Sequence, residues 1–208
     1  VTTRAALLAD IDAYFVRTFE PDRQNAIIRE AEAFIRRNLR VQEMIVSGQL
    51  TLAPIAGTAA GSVALPDGWL EFRRVSVDSV DGPNLTMLSA EDFFSRRSYF
   101  QGHGPEDVYC IEGGQLYAAP GGSSTLNVGY YTALDPLTEP TDTNAVLANA
   151  YDLYLYTCLM AAAEFEQDFE MADRNRARAS GIIEALNRNN RRARISGGAP
   201  QQQVAIGP

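Results

Sequence analysis

The sequence contains no lysine: all 18 of its basic residues are arginine. That excludes Schiff-base chemistry on a lysine and a Walker-type phosphate loop, whose lysine reaches the phosphates. Histidine is almost as scarce. His103 is the single one, which excludes His-pair metal sites and leaves a His-centred triad with little basis. Cys110 and Cys158 are too few for a disulfide framework, and both sit in apolar contexts that read as core positions. No apolar run opens the sequence, so no secretory signal is expected. The longest apolar stretch, Leu153 to Ala163, falls short of the roughly 20 residues a bilayer requires. There is no Gly-rich phosphate loop, nucleophile elbow or paired-Cys zinc motif. These absences point to a soluble, intracellular protein that is not an enzyme and uses neither cofactor nor metal.

What is present is enough to fold. The 208 residues are 46% hydrophobic and 21% charged, a length and composition that bury a core without staples. The net charge is −8, but it is unevenly placed. From residue 173 onward seven Arg (Arg174, Arg176, Arg178, Arg188, Arg191, Arg192, Arg194) face Asp173 and Glu184, a net of +5. The first 172 residues then carry −13. An acidic body with a basic end predicts complementarity between copies or docking on an acidic partner. Arginine near a helix C-terminus is also favoured by the helix dipole alone. That accounts less well for Arg191, Arg192 and Arg194, which sit at or past the expected helix end.

Periodicity divides the chain into helices, strands and helices. Leu7, Leu8, Ile11, Tyr14 and Phe15 form one stripe of a helix over 3–19, capped by Thr2 or Thr3. Pro21-Asp22 restarts the chain, and Ile27, Ile28, Ala31, Phe34, Ile35 and Leu39 mark a second helix over 22–40. From 42 to 133 the runs are short and β-branched, with strands at 50–52, 62–65, 75–77, 108–112, 115–118 and 124–131. Asp81-Gly82-Pro83 reads as a turn, and Ser89 caps a short helix. Gly113-Gly114 and Pro120-Gly121-Gly122 separate the last three strands, which predicts a β-meander. A linker over 134–140 leads to a helix over 145–166, apolar nearly all round and therefore central to a core or interface. A final helix covers 168–190. From residue 196 the tail has no helical period and two apolar anchors, Val204 and Ile206, and is expected to be extended or disordered.

The expected fold class is therefore α+β, mainly α. The N- and C-terminal helices (3–40 and 145–192) form a bundle, and the meander (42–133) is inserted between them. Residues 1–195 make one domain, followed by an extended C-terminal tail, 196–208.

Few constellations carry chemistry. Glu164, Glu166, Asp168, Glu170 and Asp173 cluster at a helix joint. They read first as a solvated face and helix start, with Glu164 and Glu166 as the suspects if the protein hydrolyses glycan. The Gly102-His103-Gly104 loop reads as an unperturbed histidine. Phe93, Phe94, Arg96, Arg97, Tyr99 and Phe100 interleave aromatic and basic side chains. Such a run serves a subunit contact or single-stranded nucleic acid, and the nearby acids Glu91, Asp92, Glu106 and Asp107 favour the contact.

The order of these features resembles the head–tail connector, or adaptor, proteins of tailed bacteriophages and phage-like particles. The resemblance rests on Ile35 to Met44, Leu65 to Arg74, Val108 to Tyr117, Val128 to Tyr131, Asp152 to Tyr156 and Asn187 to Arg194. It implies a structural virion protein at the head–tail interface, present in the host cytoplasm before assembly. Its subunits would form a homo-oligomeric ring, a dodecamer, on the portal protein. The ring would extend the DNA channel, let DNA pass without sequence-specific binding, and offer a docking surface to a downstream tail or stopper protein. No membrane is involved. A portal-docking role falls to the C-terminal end: Arg191, Arg192, Arg194, Gln201, Gln202, Gln203, Val204 and Ile206. The acidic body suits a channel through which DNA slides. The alternative is a tail-tip or decoration protein of the virion, with the β region as its recognition surface.

Overall fold

The computed structural model describes residues 2–78, 83–96, 106–119 and 124–196. The chain divides into two compact units, one from residues 1–43 and 134–208, the other from residues 44–133. The fold is mixed α+β, with the N- and C-terminal helices packed together, as the sequence predicts.

The helical unit opens with α1 (Arg4–Phe15), whose Thr3 side chain accepts from the Ala6 N–H. The first-turn amides of Arg4 and Ala5 donate to the carbonyls of Asp142 and Pro140 at 2.9 and 3.0 Å. Pro140, at the end of the stretch read as a linker, and Asp142 just past it therefore satisfy donors that a helix start leaves orphaned. α1 ends earlier than the stripe predicts, because Val16 turns into the left-handed region at φ 53°. α2 (Pro21–Asn38) starts on Pro21, whose missing N–H costs nothing at that position. It buries Ile27, Ile28, Ala31 and Ile35.

The expected helix over 145–166 is two helices. α4 (Ala145–Asn149) is capped by Asn144, and α5 (Tyr151–Phe165) follows after Ala150 leaves helical geometry at φ −139°, ψ 58°. Neither Pro nor Gly marks this break. Asn144 explains it: its Oδ1 accepts from Leu147 N–H, while its Nδ2 donates to the Asp135 carbonyl and to the buried Tyr154 hydroxyl. α5 is the centre of the unit, packing against α1, α2, α4 and α6 (Phe169–Ser196). Its Leu153, Tyr154, Cys158, Leu159, Met160 and Ala161 to Ala163 are all buried, as an all-round apolar helix must be. α6 runs past the expected residue 190.

The sheet unit contains two sheets. One is antiparallel, in the order β1 (Ile45–Thr51), β8 (Thr125–Thr132), β4 (Trp69–Val77). The other runs β2 (Ala53–Pro54), β3 (Gly61–Ala64), β7 (Gln115–Ala118), β6 (Val108–Glu112), β5 (Thr86–Met87). The expected meander is corrected here. β6 and β7 form a hairpin across Glu112↔Gln115, but β8 leaves for the other sheet and pairs with β1 and β4. The hairpin follows from Gly113 and Gly114, both at positive φ (57° and 77°), the pair of angles that a two-residue primed turn requires.

Strand alternation assigns the faces. Val75, Leu126 and Val128 of the first sheet share one core with Tyr109, Leu116 and Ala118 of the second, so the sheets pack face to face. The other face of the second sheet carries Cys110 into a smaller cluster with Ala60, Ala119 and Phe93. Phe93 comes from α3 (Ala90–Ser95), whose cap Ser89 accepts from the Asp92 N–H as the sequence predicts.

Candidate functional site

Two ends of the helical unit and one flank of the sheet unit carry the residues of interest. At the first end, Asn187 donates through Nδ2 to the Asn38 carbonyl at 2.9 Å and accepts the Arg40 N–H on Oδ1 at 2.8 Å. Asn190 donates to the Arg40 carbonyl at 2.7 Å. The C-terminus of α2 is therefore tied to the side of α6, about two turns before that helix ends at Ser196. Arg36, Arg37, Arg188 and Arg191 are exposed there, and the α2 dipole favours the two in its last turn, Arg36 and Arg37. Residues 36–43 and 184–196 hold seven Arg against Glu43 and Glu184, a net of +5. Arg191 is among the residues singled out from sequence, and Arg192 and Arg194 lie on the same helical backbone. Arg188 belongs to the basic end read from the sequence, and Arg36, Arg37 and Arg40 join it from a stretch 147 positions away, a pairing that composition does not show. Gln201, Gln202, Gln203, Val204 and Ile206 lie outside the described residues.

The other end has the opposite sign. Residues 12–23 and 164–176 hold eight acids against Arg17, Arg23, Arg174 and Arg176, a net of −4, and Arg176 pairs with both Glu164 and Asp173. Glu166 is its hub. It accepts a two-pronged bond from Arg17 (2.9 and 2.7 Å) and a third from Arg23 at 3.3 Å. Glu164 pairs with Arg176, and Asp168 caps α6 by accepting the Met171 N–H at 3.0 Å. The carboxylates suspected of catalysis thus have structural partners. The Arg17 and Arg23 guanidinium groups also lie over the Phe19 and Phe165 rings at 4.5 and 5.5 Å. The two non-glycine residues at positive φ among the described residues, Val16 and Gln167, flank the Arg17–Glu166 pair in sequence. A β-branched residue in this conformation costs about 1–2 kcal/mol.

The aromatic–arginine run divides. Phe93 is 2% exposed and belongs to the small core under α3. Phe94 is half-buried, edge-on to Tyr117 at 5.1 Å. Together with Ile55, Thr58 and Ala60 these rings line a groove of about 310 Å³. Arg96 is exposed and lies 3.6 Å from Glu106. Arg97, Tyr99, Phe100 and His103 lie outside the described residues.

Burial sets the titration of the reactive side chains. The Cys110 thiol is pushed up to about 11 by burial and by Glu112, and burial raises Cys158 further. Neither is poised as a nucleophile. Burial also raises Glu32, against the Leu137 N–H that it accepts at 2.8 Å. Asp142 is lowered by the Glu139 and Thr138 amides and the Thr138 hydroxyl. Among the described residues no group of three or more His, Cys, Asp or Glu is placed to hold a metal ion. None of the described helices is long and apolar enough to cross a membrane.

The matching class is the phage adaptors, the head–tail connector proteins. The family model for the SU10 adaptor protein matches residues 2–203, nearly the whole chain, and the chain belongs to that family. No curated protein matches the sequence.

Proposed function

We propose that this adaptor assembles as a dodecameric ring on the portal protein of a virion, extends the DNA channel and presents a docking surface to the next tail component. The observation that carries the reading is the union of the α2 C-terminus with α6 through Asn187 and Asn190. It gathers an arginine-rich end from which the tail continues. Arg191, Arg192 and Arg194, followed by Gln201, Gln202, Gln203, Val204 and Ile206, are the docking segment. Phe94 and Arg96, with Arg97, Tyr99 and Phe100, add a subunit contact on the flank of the sheet unit. Phe93 supports it from the core. Residues 44–133 carry nine acids against four Arg, a surface that DNA does not adhere to.

The test is a deletion of residues 197–208 in the otherwise complete protein. The expected result is unchanged thermal unfolding and lost co-sedimentation with portal rings. A truncated protein that docks like the full chain assigns docking elsewhere.

A further inference from the structure

Among the described residues, four of the six exposed large apolar side chains lie at the acidic end of the helical unit: Tyr14 (46% exposed), Val16 (90%), Phe165 (43%) and Phe169 (67%). The Arg17–Glu166 bond holds them together, since Val16 precedes one partner and Phe165 the other. Val16 pays twice for its position. It sits in a left-handed conformation where glycine is favoured, and it buries almost nothing of its own side chain. The fold gains nothing from valine there, so the residue's use lies outside the single chain.

We propose that this acidic, aromatic end is the contact surface for a second copy of the chain, which seats Arg36, Arg37 and Arg188 of its own helical unit on it and leaves Arg191, Arg192 and Arg194 to the portal. The complement is on the same molecule: acids outnumber arginines by four at one end, and arginines outnumber acids at the other. One copy cannot satisfy both. Phe169 and Glu170 start α6, while Arg188 and Arg191 lie near its far end, about 28–33 Å away along one helix. The chemistry fits arginine in particular. Guanidinium groups lie over rings at Phe19, Phe165 and Tyr156 within the chain itself, and a guanidinium leaves water more readily than an ammonium. A contact between unlike ends is heterologous and propagates head to tail, the geometry that closes into a ring. The inference deepens the ring reading and rests on it in one respect, that copies of this chain assemble.

Paired cysteines test it in the full-length protein. Val16→Cys and Arg188→Cys variants are mixed and mildly oxidised, free and with portal rings, and run beside each variant alone. The mixture is expected to give about tenfold more disulfide dimer than either variant alone. Equal cross-linking of Val16→Cys with itself would make the contact isologous and overturn the proposal. Protein docked on the portal without the mixed cross-link also overturns it and leaves the portal-docking reading standing. The cross-link without docking overturns the portal-docking reading instead, and the absence of both overturns both. Val16→Gly separates this role from a structural one. It is expected to raise Tm by about 2–4 °C while weakening self-association about tenfold. A fall in Tm with unchanged association would place Val16 in the fold alone.

Discussion

Asn187 Oδ1 accepts the Arg40 N–H at 2.8 Å across 147 positions of sequence, and the same side chain donates to the Asn38 carbonyl. One amide thus closes the end of α2, where Leu39 has already left helical geometry. Two of the stretches that carry the family resemblance, Ile35 to Met44 and Asn187 to Arg194, meet through it.

Replacing Asn187 with Leu strands the Arg40 N–H and the Asn38 carbonyl together. The expected loss of stability is about 1–3 kcal/mol, read as a lower midpoint with an unchanged slope in urea unfolding. Asn187→Asp keeps the acceptor and loses the donor, so it should fall between. A Leu variant as stable as the parent would mean that the end of α2 is held by other contacts.

Gly68 tests the turn before β4. Its φ is +70°, and a Cβ there would lie 2.9 Å from Thr132 Oγ1. Gly68→Ala should cost about 1–2 kcal/mol from backbone strain alone, with the clash added. Thr132→Ala in the same chain should restore the steric part only. Full restoration by the second substitution, measured by thermal unfolding, would show that the backbone carries no strain.

Glu32 and Asp142 give opposite pH dependences. Burial raises Glu32 above its usual value, so its proton is held better folded than unfolded. Its contribution is fully present below the unfolded pKa, roughly 4.3, and is lost as pH rises through the folded value. Asp142 is lowered. Its contribution is present above the unfolded pKa, roughly 3.9, and is lost as pH falls through the folded value. Glu32→Gln should therefore gain stability relative to the parent as pH rises from 4 to 7. Asp142→Asn should do the reverse and lose most near neutrality. Parallel stability–pH curves for parent and variants would contradict both assignments.

Both cysteines are buried, and burial holds both thiols above their ordinary range. Native protein should therefore resist thiol reagents at pH 8 until it unfolds, with two equivalents reacting in denaturant. Rapid labelling of the native protein would place one of them at the surface.

Much of this was legible in the sequence because it is local. The α1 and α2 stripes, the Ser89 cap, the Gly113-Gly114 turn and the all-round apolar character of α5 are each set within a few residues. Partners were not legible. The alternation of Leu126, Val128 and Tyr130 gives the faces of β8, but not that its neighbours are β1 and β4. The break at Ala150 leaves no signal because Asn144 makes it through Tyr154, ten positions on. Charge was legible as a gradient along the chain. Its arrangement into two opposed ends needed the Asn187 and Glu166 bonds, each linking segments about 150 positions apart. Composition counts Phe93 with the other aromatics of its run and does not show that it is buried under α3.

The central claim is that this adaptor forms a ring on a portal. Electron microscopy of the purified full-length protein with its cognate portal, with and without packaged DNA, tests it most directly. The account predicts an additional ring stacked coaxially on the outer end of the portal, in the portal's own copy number. Bare portals at saturating protein in both conditions would contradict it.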